Sequence, residues 1–558
     1  MEILNVKNLS FSYPDCEHKC LNDISFSAES GELIILSGIS GCGKTTLLKM
    51  LKPQISPFGK KVGNISFDGT NLNKTDEKLS AFEIGFVMQN PDTQIVSDKV
   101  YSELAFGLQN MGLDNNDMQR KICEISDFFG ISDWFFNDIS TLSGGQKQLL
   151  NLASVTVMSP KLLLLDEPTA QLDPISSTRF FDALLRLNRE LGITVIVAEH
   201  RLNELWDVAD KVILMDKGSI LLCDTPKNAT KTIKKNKLNN RIINALPSAI
   251  QIYNALDIKG KCPLNVRDTR QFLSDNFSND TRCLPHEKYE HRHNAVLELC
   301  DVFAKYEKNL PDVLNGTSLK IFEGECVCLL GSNGAGKSTL LKVASGLLKN
   351  YAGKIKIDGK KLADYKGNSL YSYVALLPQN PREIFLYQSV LEEFLHVKEQ
   401  KKYSDDEFEK LKINICEMLG IAPLLSMHPY DLSGGQIQKV ALAKLLFLKP
   451  RLLLLDEPVK GLDVSAKQEL AHIFKKLKQS GITIVIVTHD VEFAAITADR
   501  CAMFWGGKVT SIDVTHKFFA NNSFYTTSAN KISRHMFDNA ITCDDVINLC
   551  KQNGGGMR

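Results

Sequence analysis

The fold is decided by Gly38-Ile39-Ser40-Gly41-Cys42-Gly43-Lys44-Thr45, which fits the pattern G-x-x-x-x-G-K-[ST] of a phosphate-binding loop. An apolar run at 33–36 precedes the loop, and a helix-like run at 45–51 follows it. A strand, a glycine-rich loop and a helix in this order place backbone N–H groups and a helix N-terminus around phosphate oxygens. Lys44 would then reach the β- and γ-phosphates, and the Thr45 hydroxyl would hold magnesium.

A second loop of the same pattern lies in the other half of the chain. It is Gly331-Ser332-Asn333-Gly334-Ala335-Gly336-Lys337-Ser338, between an apolar run at 326–330 and a helix-like run at 338–343. Lys337 follows Lys44 by 293 positions, and Asp456 follows Asp166 by 290 positions. Because the offset changes so little along the chain, the sequence predicts one domain type written twice.

Further motifs recur at the same offset. They are Gln89 and Gln379, Leu142-Ser143-Gly144-Gly145-Gln146 and Leu432-Ser433-Gly434-Gly435-Gln436, the acidic pairs Asp166-Glu167 and Asp456-Glu457 after leucine runs, Ala170-Gln171-Leu172-Asp173 and Lys460-Gly461-Leu462-Asp463, and His200 and His489. This set resembles the Q-loop, signature, Walker B, D-loop and switch histidine of ATP-binding-cassette ATPases. The resemblance covers residues 1 to about 220 and 295 to about 510.

The resemblance implies an α/β fold with two tandem P-loop cassette domains. Each domain is expected to have a RecA-like core, a helical signature subdomain and a small C-terminal extension. The predicted boundaries are 1–228 for domain 1, 229–292 for its extension and the linker, 293–512 for domain 2, and 513–558 for its extension.

In this family two cassettes dimerise head to tail, so the two halves are expected to form an internal pseudo-dimer with two composite ATP sites. One site would use Lys44, Thr45, Gln89, Asp166, Glu167 and His200, closed by Ser433, Gly434 and Gly435. The other would use Lys337, Ser338, Gln379, Asp456, Glu457 and His489, closed by Ser143, Gly144 and Gly145. The remaining ATP-binding residues are Gly38, Gly41, Gly43, Thr46, Gly331, Gly334, Gly336 and Thr339, with Tyr13 and Tyr306 as the aromatics that resemble those stacking on adenine.

The chemistry expected at these sites is hydrolysis of ATP with Mg²⁺. Glu167 and Glu457 would act as general bases toward the attacking water. Magnesium would be held by Thr45, Gln89 and Asp166 in one half, and by Ser338, Gln379 and Asp456 in the other. The two glutamines and the switch histidines, His200 and His489, are also expected to take part in catalysis.

The branch of the family is indicated by the segment after the first Q-loop glutamine. Asn90-Pro91-Asp92-Thr93-Gln94-Ile95, then Glu103-Leu104-Ala105-Phe106-Gly107, and later Glu199-His200-Arg201-Leu202, resemble the energy-coupling-factor transporter ATPases. The second half departs from this pattern with Arg382-Glu383-Ile384 and has an ordinary Thr488-His489-Asp490. The extra segments after each cassette resemble the extensions that help to hold fused double-cassette ATPases together.

This resemblance implies a peripheral protein at the cytoplasmic face of the cell membrane, with two membrane partners. They would be a T-type transmembrane coupling subunit and a small substrate-binding subunit that takes up a vitamin or related micronutrient, a thiamine precursor being one candidate. Leu104 and Leu108 are the predicted contacts to the T-type subunit. The alternative for both leucines is a place in the core of the helical subdomain.

Two other functions remain open at this point. A soluble translation factor of the tandem-cassette type would carry a long charged helical linker, which Pro226, Pro247, Pro263 and Pro285 disfavour. The fused ATPase of a sugar importer usually has altered catalytic motifs in its second cassette, whereas both sets are complete here.

The composition and charge of the chain indicate which classes of partner and which location to expect. With 558 residues, 44% hydrophobic and 23% charged, the chain can form large cores, and a net charge of +1 predicts no nucleic-acid partner. No apolar run approaches about 18 residues, as a membrane span would require. The N-terminal MEILNVKNLS lacks the features of a signal peptide, so we expect a cytosolic protein.

Cysteines and lysines add smaller expectations. Cys16 and Cys20 resemble half a metal site but lack a second pair, while Cys326 and Cys328 are expected in the core. Cys42, inside the first P-loop, is predicted to have a lowered thiol pKa and to react with alkylating reagents. The basic run at 227–241 is expected to be a solvated face, with anionic lipid as the alternative.

Overall fold

A computed structural model describes residues 1–14, 18–200, 202–236, 240–256, 258, 261–285, 294–365 and 367–554. Cys16, Arg201 and part of the basic run at 227–241 lie outside these residues, as does the predicted boundary at 292. The chain divides into two units, one with residues Met1–Phe277 and Asp463–Ser465, the other with Ser278–Leu462 and Ala466–Gly554. The four predicted domain ranges stay predictions.

The first unit alternates strands and helices along the chain. Its strands are β1 (Glu2–Ser12), β2 (Leu21–Glu29), β3 (Leu33–Gly38), β4 (Lys60–Phe67), β5 (Thr70–Asn71), β6 (Ile84–Val87), β7 (Leu162–Asp166), β8 (Thr194–Ala198), β9 (Lys211–Asp216) and β10 (Ser219–Asp224). Its helices are α1 (Lys44–Met50), α2 (Glu77–Glu83), α3 (Val100–Met111), α4 (Asn115–Phe129), α5 (Gly144–Thr156), α6 (Pro174–Leu191), α7 (Pro226–Asn236), α8 (Asn240–Asn244), α9 (Ser248–Ala255) and α10 (Val266–Asn276).

The second unit repeats this order. Its strands are β11 (Ala295–Ala304), β12 (Leu314–Phe322), β13 (Cys326–Leu330), β14 (Ala352–Ile357), β15 (Lys360–Lys361), β16 (Val374–Leu377), β17 (Leu452–Asp456), β18 (Thr483–Val487), β19 (Arg500–Trp505) and β20 (Lys508–Val514). Its helices are α11 (Lys337–Ala344), α12 (Val390–Lys401), α13 (Asp405–Leu419), α14 (Gly434–Leu446), α15 (Val464–Gln479), α16 (Val491–Thr497), α17 (Thr515–Asn521), α18 (Ser528–Ser533) and α19 (Cys543–Gln552).

Each unit contains the same two sheets. In the first unit the antiparallel sheet has the order β2-β1-β4-β5, and the larger sheet has the order β10-β9-β3-β8-β7-β6. In the second unit the corresponding orders are β12-β11-β14-β15 and β16-β17-β18-β13-β19-β20. The larger sheets are parallel except for their outer strands β10 and β20. The predicted α/β class with two tandem P-loop domains is confirmed.

The parallel arrangement explains why distant motifs meet. Strands β6, β7, β8 and β3 are neighbours, so the residues after their carboxyl ends lie along one edge of the sheet. The P-loop follows β3, the acidic pair ends β7, and the Q-loop and switch histidine follow β6 and β8. Every residue of β7 is buried, which accounts for its unbroken leucine run rather than an alternating pattern.

The helical subdomain of the first unit corrects one prediction. Helix α3 packs against α4 and α5, and the side chains of Leu104 and Leu108 belong to the core of this unit, each 0% exposed. The expectation that these leucines contact a T-type subunit is therefore wrong. The side chains of the same region that face outward are aromatic: Tyr101 is 43% exposed and Phe106 is 45% exposed.

The C-terminal extension of the second unit contacts residues 278–285, the segment that precedes the first strand of that unit. Thr281 N donates to Asn553 Oδ1 at 2.7 Å, and Leu284 N donates to Asn539 Oδ1 at 3.1 Å. The Arg282 guanidinium pairs with Asp538 at 2.8 Å. Residues 278–285, expected to be linker, thus lie against the last helices of the second unit.

The basic run is only partly a solvated face. Lys227, Lys231 and Lys235 are exposed at helical spacing on α7. Lys234 instead turns inward, where its ammonium donates to the Leu256 carbonyl at 3.2 Å and lies 4.0 Å from the centre of the Tyr253 ring. Across the portions of the chain described above, none of the helices has both the length and the hydropathy of a bilayer-spanning segment.

Candidate active sites

The conformation of the first P-loop depends on its glycines, and its lysine makes a hydrogen bond across the loop. Gly43 has a φ of 103°, and a Cβ there would come within 2.9 Å of the Cys20 carbonyl oxygen. Lys44, which is 4% exposed, donates to the carbonyl oxygen of Gly38 at 2.8 Å. The ammonium therefore lies across the mouth of the loop, beside the N-terminus of α1, where it can meet an anion.

The second P-loop has the same geometry. Gly336 has a φ of 102°, and Lys337 donates to the carbonyl oxygens of Gly331 and Ser332, each at 2.8 Å. In each loop taken by itself, a lysine and a helix N-terminus thus lie together. The predicted glycines of the two loops are Gly38, Gly41, Gly43, Gly331, Gly334 and Gly336.

Each P-loop meets an aspartate at the end of the neighbouring leucine strand. Thr45 Oγ1 donates to Asp166 Oδ1 at 3.0 Å, and Ser338 Oγ donates to Asp456 Oδ1 at 3.0 Å. Burial, together with the charge of the adjacent Glu167, raises the pKa of the Asp166 carboxyl to about 6. Burial also raises the pKa of Asp456. In the protein alone, burial thus favours the protonated form of both carboxyls.

Such a site fits Mg²⁺, which prefers oxygen ligands and keeps waters and phosphate oxygens in its shell. One hydroxyl and one carboxylate per half would hold it: Thr45 with Asp166, and Ser338 with Asp456. In the described parts of the chain, no group of three or more His, Cys, Asp or Glu side chains is arranged to bind a metal. The protein supplies too few ligands alone, so the phosphates of a nucleotide would have to complete the shell.

The first acidic pair is completed by the switch histidine. His200 Nε2 lies 2.9 Å from Glu167 Oε1, and Gln89 Nε2 donates to Glu167 Oε2 at 2.9 Å. Burial acts to raise the pKa of the Glu167 carboxyl, but His200 and the charge of Lys44 outweigh it and hold that pKa below its ordinary value. The structure therefore brings Gln89, Glu167 and His200 together as predicted members of one site.

The second acidic pair differs in its glutamine. His489 Nδ1 lies 3.0 Å from Glu457 Oε1, and this pair lowers the pKa of Glu457 although burial opposes the shift. Gln379, in contrast, is exposed, and within the described residues it makes no hydrogen bond to Glu457. The structure brings Glu457 and His489 together but leaves Gln379 apart from them.

Both glutamates have an unusual backbone. Glu167 has a φ of 46° and Glu457 a φ of 51°, in the left-handed region that non-glycine residues rarely adopt. Each is anchored by its own N–H, which donates to Ala198 or to Val487 at 2.9 Å. Strain of this kind persists only where the surroundings hold it, and it concentrates at functional sites.

The two predicted adenine-stacking tyrosines are tied to the P-loop helices. The hydroxyls of Tyr13 and Tyr306 lie 3.1 Å from Oγ1 of Thr46 and Thr339 respectively. The tyrosines are 38% and 50% exposed. Each ring is therefore fixed at one end and accessible to a planar ligand, next to the loop that would hold the phosphates.

The signature residues form exposed helix N-termini. Ser143 caps α5 and Ser433 caps α14, and each takes part in a capping box with the glutamine that follows three residues later. Gly144, Gly145, Gly434 and Gly435 form the first turns. These turns present backbone N–H groups to an anion. The pairing of each signature with the P-loop of the other half stays a prediction.

The segment that follows Gln89, which resembles a docking pattern in sequence, makes contacts inside the first unit. Gln94 faces inward, accepting from Met88 N at 2.8 Å and donating to the Phe86 carbonyl at 2.9 Å. Asp92 pairs with Lys147 on the signature helix at 2.7 Å. These contacts hold the Q-loop within the first unit, and its contact with a membrane partner stays a prediction.

The sequence argument missed the structural role of a buried glutamate in each half. Glu103 is 5% exposed and accepts from the N–H groups of Val96 and Ser97 at 3.1 and 2.9 Å. Glu393, which is 0% exposed, accepts likewise from Leu386 and Tyr387. Their equal position in the two repeats was the available signal. Both glutamates fix the chain just after the Q-loop.

Cys42 does not have the predicted lowered thiol pKa. Its side chain is 3% exposed, and burial raises the thiol pKa despite the opposing charge of Lys44. The prediction of a lowered pKa is therefore wrong. Cys20 is the more accessible thiol of this site, with Sγ 3.3 Å from Thr46 Oγ1. Cys326 and Cys328 are buried, as predicted.

Comparison with known proteins agrees with this geometry. The sequence profile of the family described as ABC transporter matches residues 21–170 and 314–460. The chain is 41% identical over 546 residues to a Bacillus anthracis protein named as an ABC transporter ATP-binding protein, covering 98% of each.

Two solved structures are also similar. One is cbiO1 of Clostridium perfringens, described as part of the ABC transporter complex cbiONQ: identity is 32%, coverage is 42% of this chain and 94% of that one, and the TM-score is 0.39. The other is the archaeal ribosome recycling factor aABCE1 in complex with the ribosomal stalk protein aP1. Identity is 21%, coverage is 92% of this chain and 91% of that one, and the TM-score is 0.58, a likeness of fold.

Proposed function

The chain belongs to the ABC transporter family, and from that membership we propose that it is the ATP-hydrolysing subunit of an energy-coupling-factor importer. Its tandem cassettes make it an ATPase. The importer assignment rests on the resemblance of residues around the first Q-loop and on the surface beside them. The imported compound would be a vitamin or related micronutrient, with a thiamine precursor as one candidate.

Hydrolysis would proceed by positioning and charge neutralisation. Lys44 and the N-terminus of α1 would bind the β- and γ-phosphates, and Tyr13 would stack on the adenine. When bound, magnesium supplies positive charge beside the phosphate oxygens. Glu167, kept ionised by His200, would accept a proton from the attacking water.

The second half would act in the same way through its own residues. Lys337, Ser338 and Asp456 would bind the phosphates and the metal. Glu457 would be the base, held by His489. As in other members of the family, each site would be closed by the signature turn of the opposite half, with Ser433 or Ser143 meeting the γ-phosphate.

The observation that carries the importer proposal is an exposed aromatic group beside the first Q-loop. Phe136 is 77% exposed, Tyr101 is 43% exposed, and their ring centres are 6.3 Å apart. Phe135 lies 5.0 Å from Phe136, ring centre to ring centre. A contiguous patch of exposed aromatic side chains often marks a site of contact with another protein. We propose that this group receives the T-type membrane subunit at the cytoplasmic face of the membrane.

The second half would offer that subunit a different surface. At the positions of Tyr101 and Phe136 the second half has Leu391 and Ser426. Its exposed side chains near these positions in the sequence are others: Leu386 is 78% exposed, Tyr387 36% and Tyr430 51%. The Arg382 guanidinium lies 5.6 Å from the centre of the Tyr430 ring. Two unlike surfaces suit one asymmetric partner better than two copies of the same segment.

The test is expression of the chain with the membrane proteins encoded beside it. Phe136→Asp should abolish co-purification with a membrane subunit and stop uptake, while ATP hydrolysis by the free protein persists. Phe58→Asp is the matched control, since Phe58 is an exposed phenylalanine of the same unit, 88% exposed and distant in sequence from the Q-loop. Normal co-purification of Phe136→Asp contradicts the docking site. Association with ribosomes and no membrane partner would favour the translation-factor alternative.

A further inference from the structure

A buried carboxylate lies beside the first Glu167–His200 pair. Glu199 follows β8 and is 1% exposed. Its Oε1 accepts hydrogen bonds from the backbone N–H of Thr169, at 3.2 Å, and from the Thr169 hydroxyl. Its Oε2 accepts from the backbone N–H of His200 at 2.8 Å. One side chain thus satisfies three donors from two separate loops.

These two loops carry the proposed catalytic pair. Thr169 stands in the turn that follows Glu167, where Ala170 N donates to the Glu167 carbonyl at 3.2 Å. His200 is the residue whose ring lies 2.9 Å from the Glu167 carboxylate. Because Glu167 has a left-handed φ, its orientation depends on how firmly this turn is held.

The second half lacks this arrangement. Thr488 occupies the position of Glu199, and Val459 occupies the position of Thr169. Both are buried, and the Thr488 hydroxyl accepts from Asp490 N at 3.1 Å rather than bridging to the turn. Both positions therefore differ between the halves. The first half pairs the Glu199 carboxylate with the Thr169 hydroxyl, and the second half has a hydroxyl and an alkyl side chain at these positions.

We propose that Glu199 is a positioning residue that acts through Thr169 and His200 to hold Glu167 toward its water in the first half. The inference rests on the proposed catalytic roles of Glu167 and His200. Losing one partner of a buried hydrogen-bonded group leaves the other unsatisfied, and a misplacement of about 1 Å at a reacting group lowers turnover by up to about 100-fold.

The most direct test is at Thr169. Thr169→Val keeps the shape of the side chain and removes only the hydroxyl, whereas Thr169→Ser keeps the hydroxyl. In the full chain with Glu457→Gln, which removes the second base, Thr169→Val should lower kcat at least about fivefold with KM for ATP within about twofold of the Glu457→Gln parent, because positioning acts on the chemical step. Thr169→Ser should retain kcat within about twofold.

A double variant separates positioning from stability. In the same Glu457→Gln parent, Thr169→Val with Glu199→Thr installs the pair of the second half and leaves no buried carboxylate without its partner. Its Tm should return to within a few degrees of that parent while kcat stays low. Recovery of kcat together with Tm, or a loss of kcat that only follows the unfolded fraction, overturns the inference. Wild-type turnover in Glu167→Gln would instead contradict the proposed function.

Discussion

His200 Nε2 lies 2.9 Å from Glu167 Oε1, and the equivalent His489 lies 3.0 Å from Glu457 Oε1 through its other ring nitrogen. Each histidine keeps its glutamate ionised in a buried place where desolvation alone would favour the protonated acid. An ionised carboxylate can take a proton from water. The same relationship, built twice on parallel strands, is the structural basis for expecting two working sites.

Replacing either glutamate should therefore stop hydrolysis at its own site. Glu167→Gln and Glu457→Gln keep the size of the side chain and remove the base, so each is expected to lower the rate at its own site at least about 100-fold, and the double variant should lower kcat of the chain by at least that factor. Nucleotide should still bind, since the lysines and hydroxyls are unchanged. Steady-state hydrolysis and equilibrium binding of a fluorescent ATP analogue measure the two effects. A single variant with an unchanged rate would show that its site is not catalytic.

The tyrosine rings should contribute to nucleotide affinity. Tyr13→Ala removes the ring, and we expect the Kd for ATP to rise about tenfold, which corresponds to roughly 1.4 kcal/mol of stacking. Tyr13→Phe keeps the ring and loses only the contact of the hydroxyl with Thr46, so its Kd should stay within about threefold. Equal losses in both variants would assign the affinity to the hydroxyl instead.

Cys42 should resist alkylation in the native protein. Its burial and raised thiol pKa leave little thiolate, whereas Cys123 and Cys300 are exposed and should be labelled first. Peptide mapping by mass spectrometry after brief treatment with iodoacetamide measures the order. Denatured protein is the control, in which all three should react. Rapid native labelling of Cys42 that ATP prevents would contradict this expectation.

Lys52 should make the stability of the first unit depend on pH. Its ammonium is 8% exposed and donates to the carbonyls of Ser80 at 3.2 Å and Ala81 at 2.7 Å, near the end of α2. Burial lowers the pKa of Lys52 from 10.5 to about 8. Below pH 8 Lys52 is protonated in both the folded and the unfolded state, so the unfolding free energy is lowered by the full cost of burying its charge.

Between pH 8 and 10.5 the folded state releases this proton first, so the unfolding free energy should rise with pH. Relative to Lys52→Met, the gain should reach at most about 3 kcal/mol. Urea unfolding of both proteins across this range measures it. Exposed Lys78→Met is the control and should show no such difference from wild type. A difference between wild type and Lys52→Met that is flat with pH contradicts the prediction.

Only the tertiary structure decided which apolar side chains of α3 are exposed to solvent and whether the Cys42 thiol is buried. Helix α3 is apolar on both sides, so periodicity could not tell that Leu104 and Leu108 are buried while Tyr101 and Phe106 are exposed. For Cys42, nearby N–H groups and the cost of burial have opposite effects on the thiol pKa. The balance depends on packing that the local sequence does not contain.

The sequence by itself determined the cassette fold and its duplication, because a phosphate-binding loop needs glycines, a lysine and a hydroxyl at fixed local spacing. The acidic and histidine positions were predicted from the family resemblance, and the parallel strands of the structure bring them to one edge of the sheet. Only the tertiary structure connected Glu199 with Thr169, which are 30 residues apart. Contacts between separate loops depend on how the strands are ordered in the sheet, and no local pattern encodes that distance.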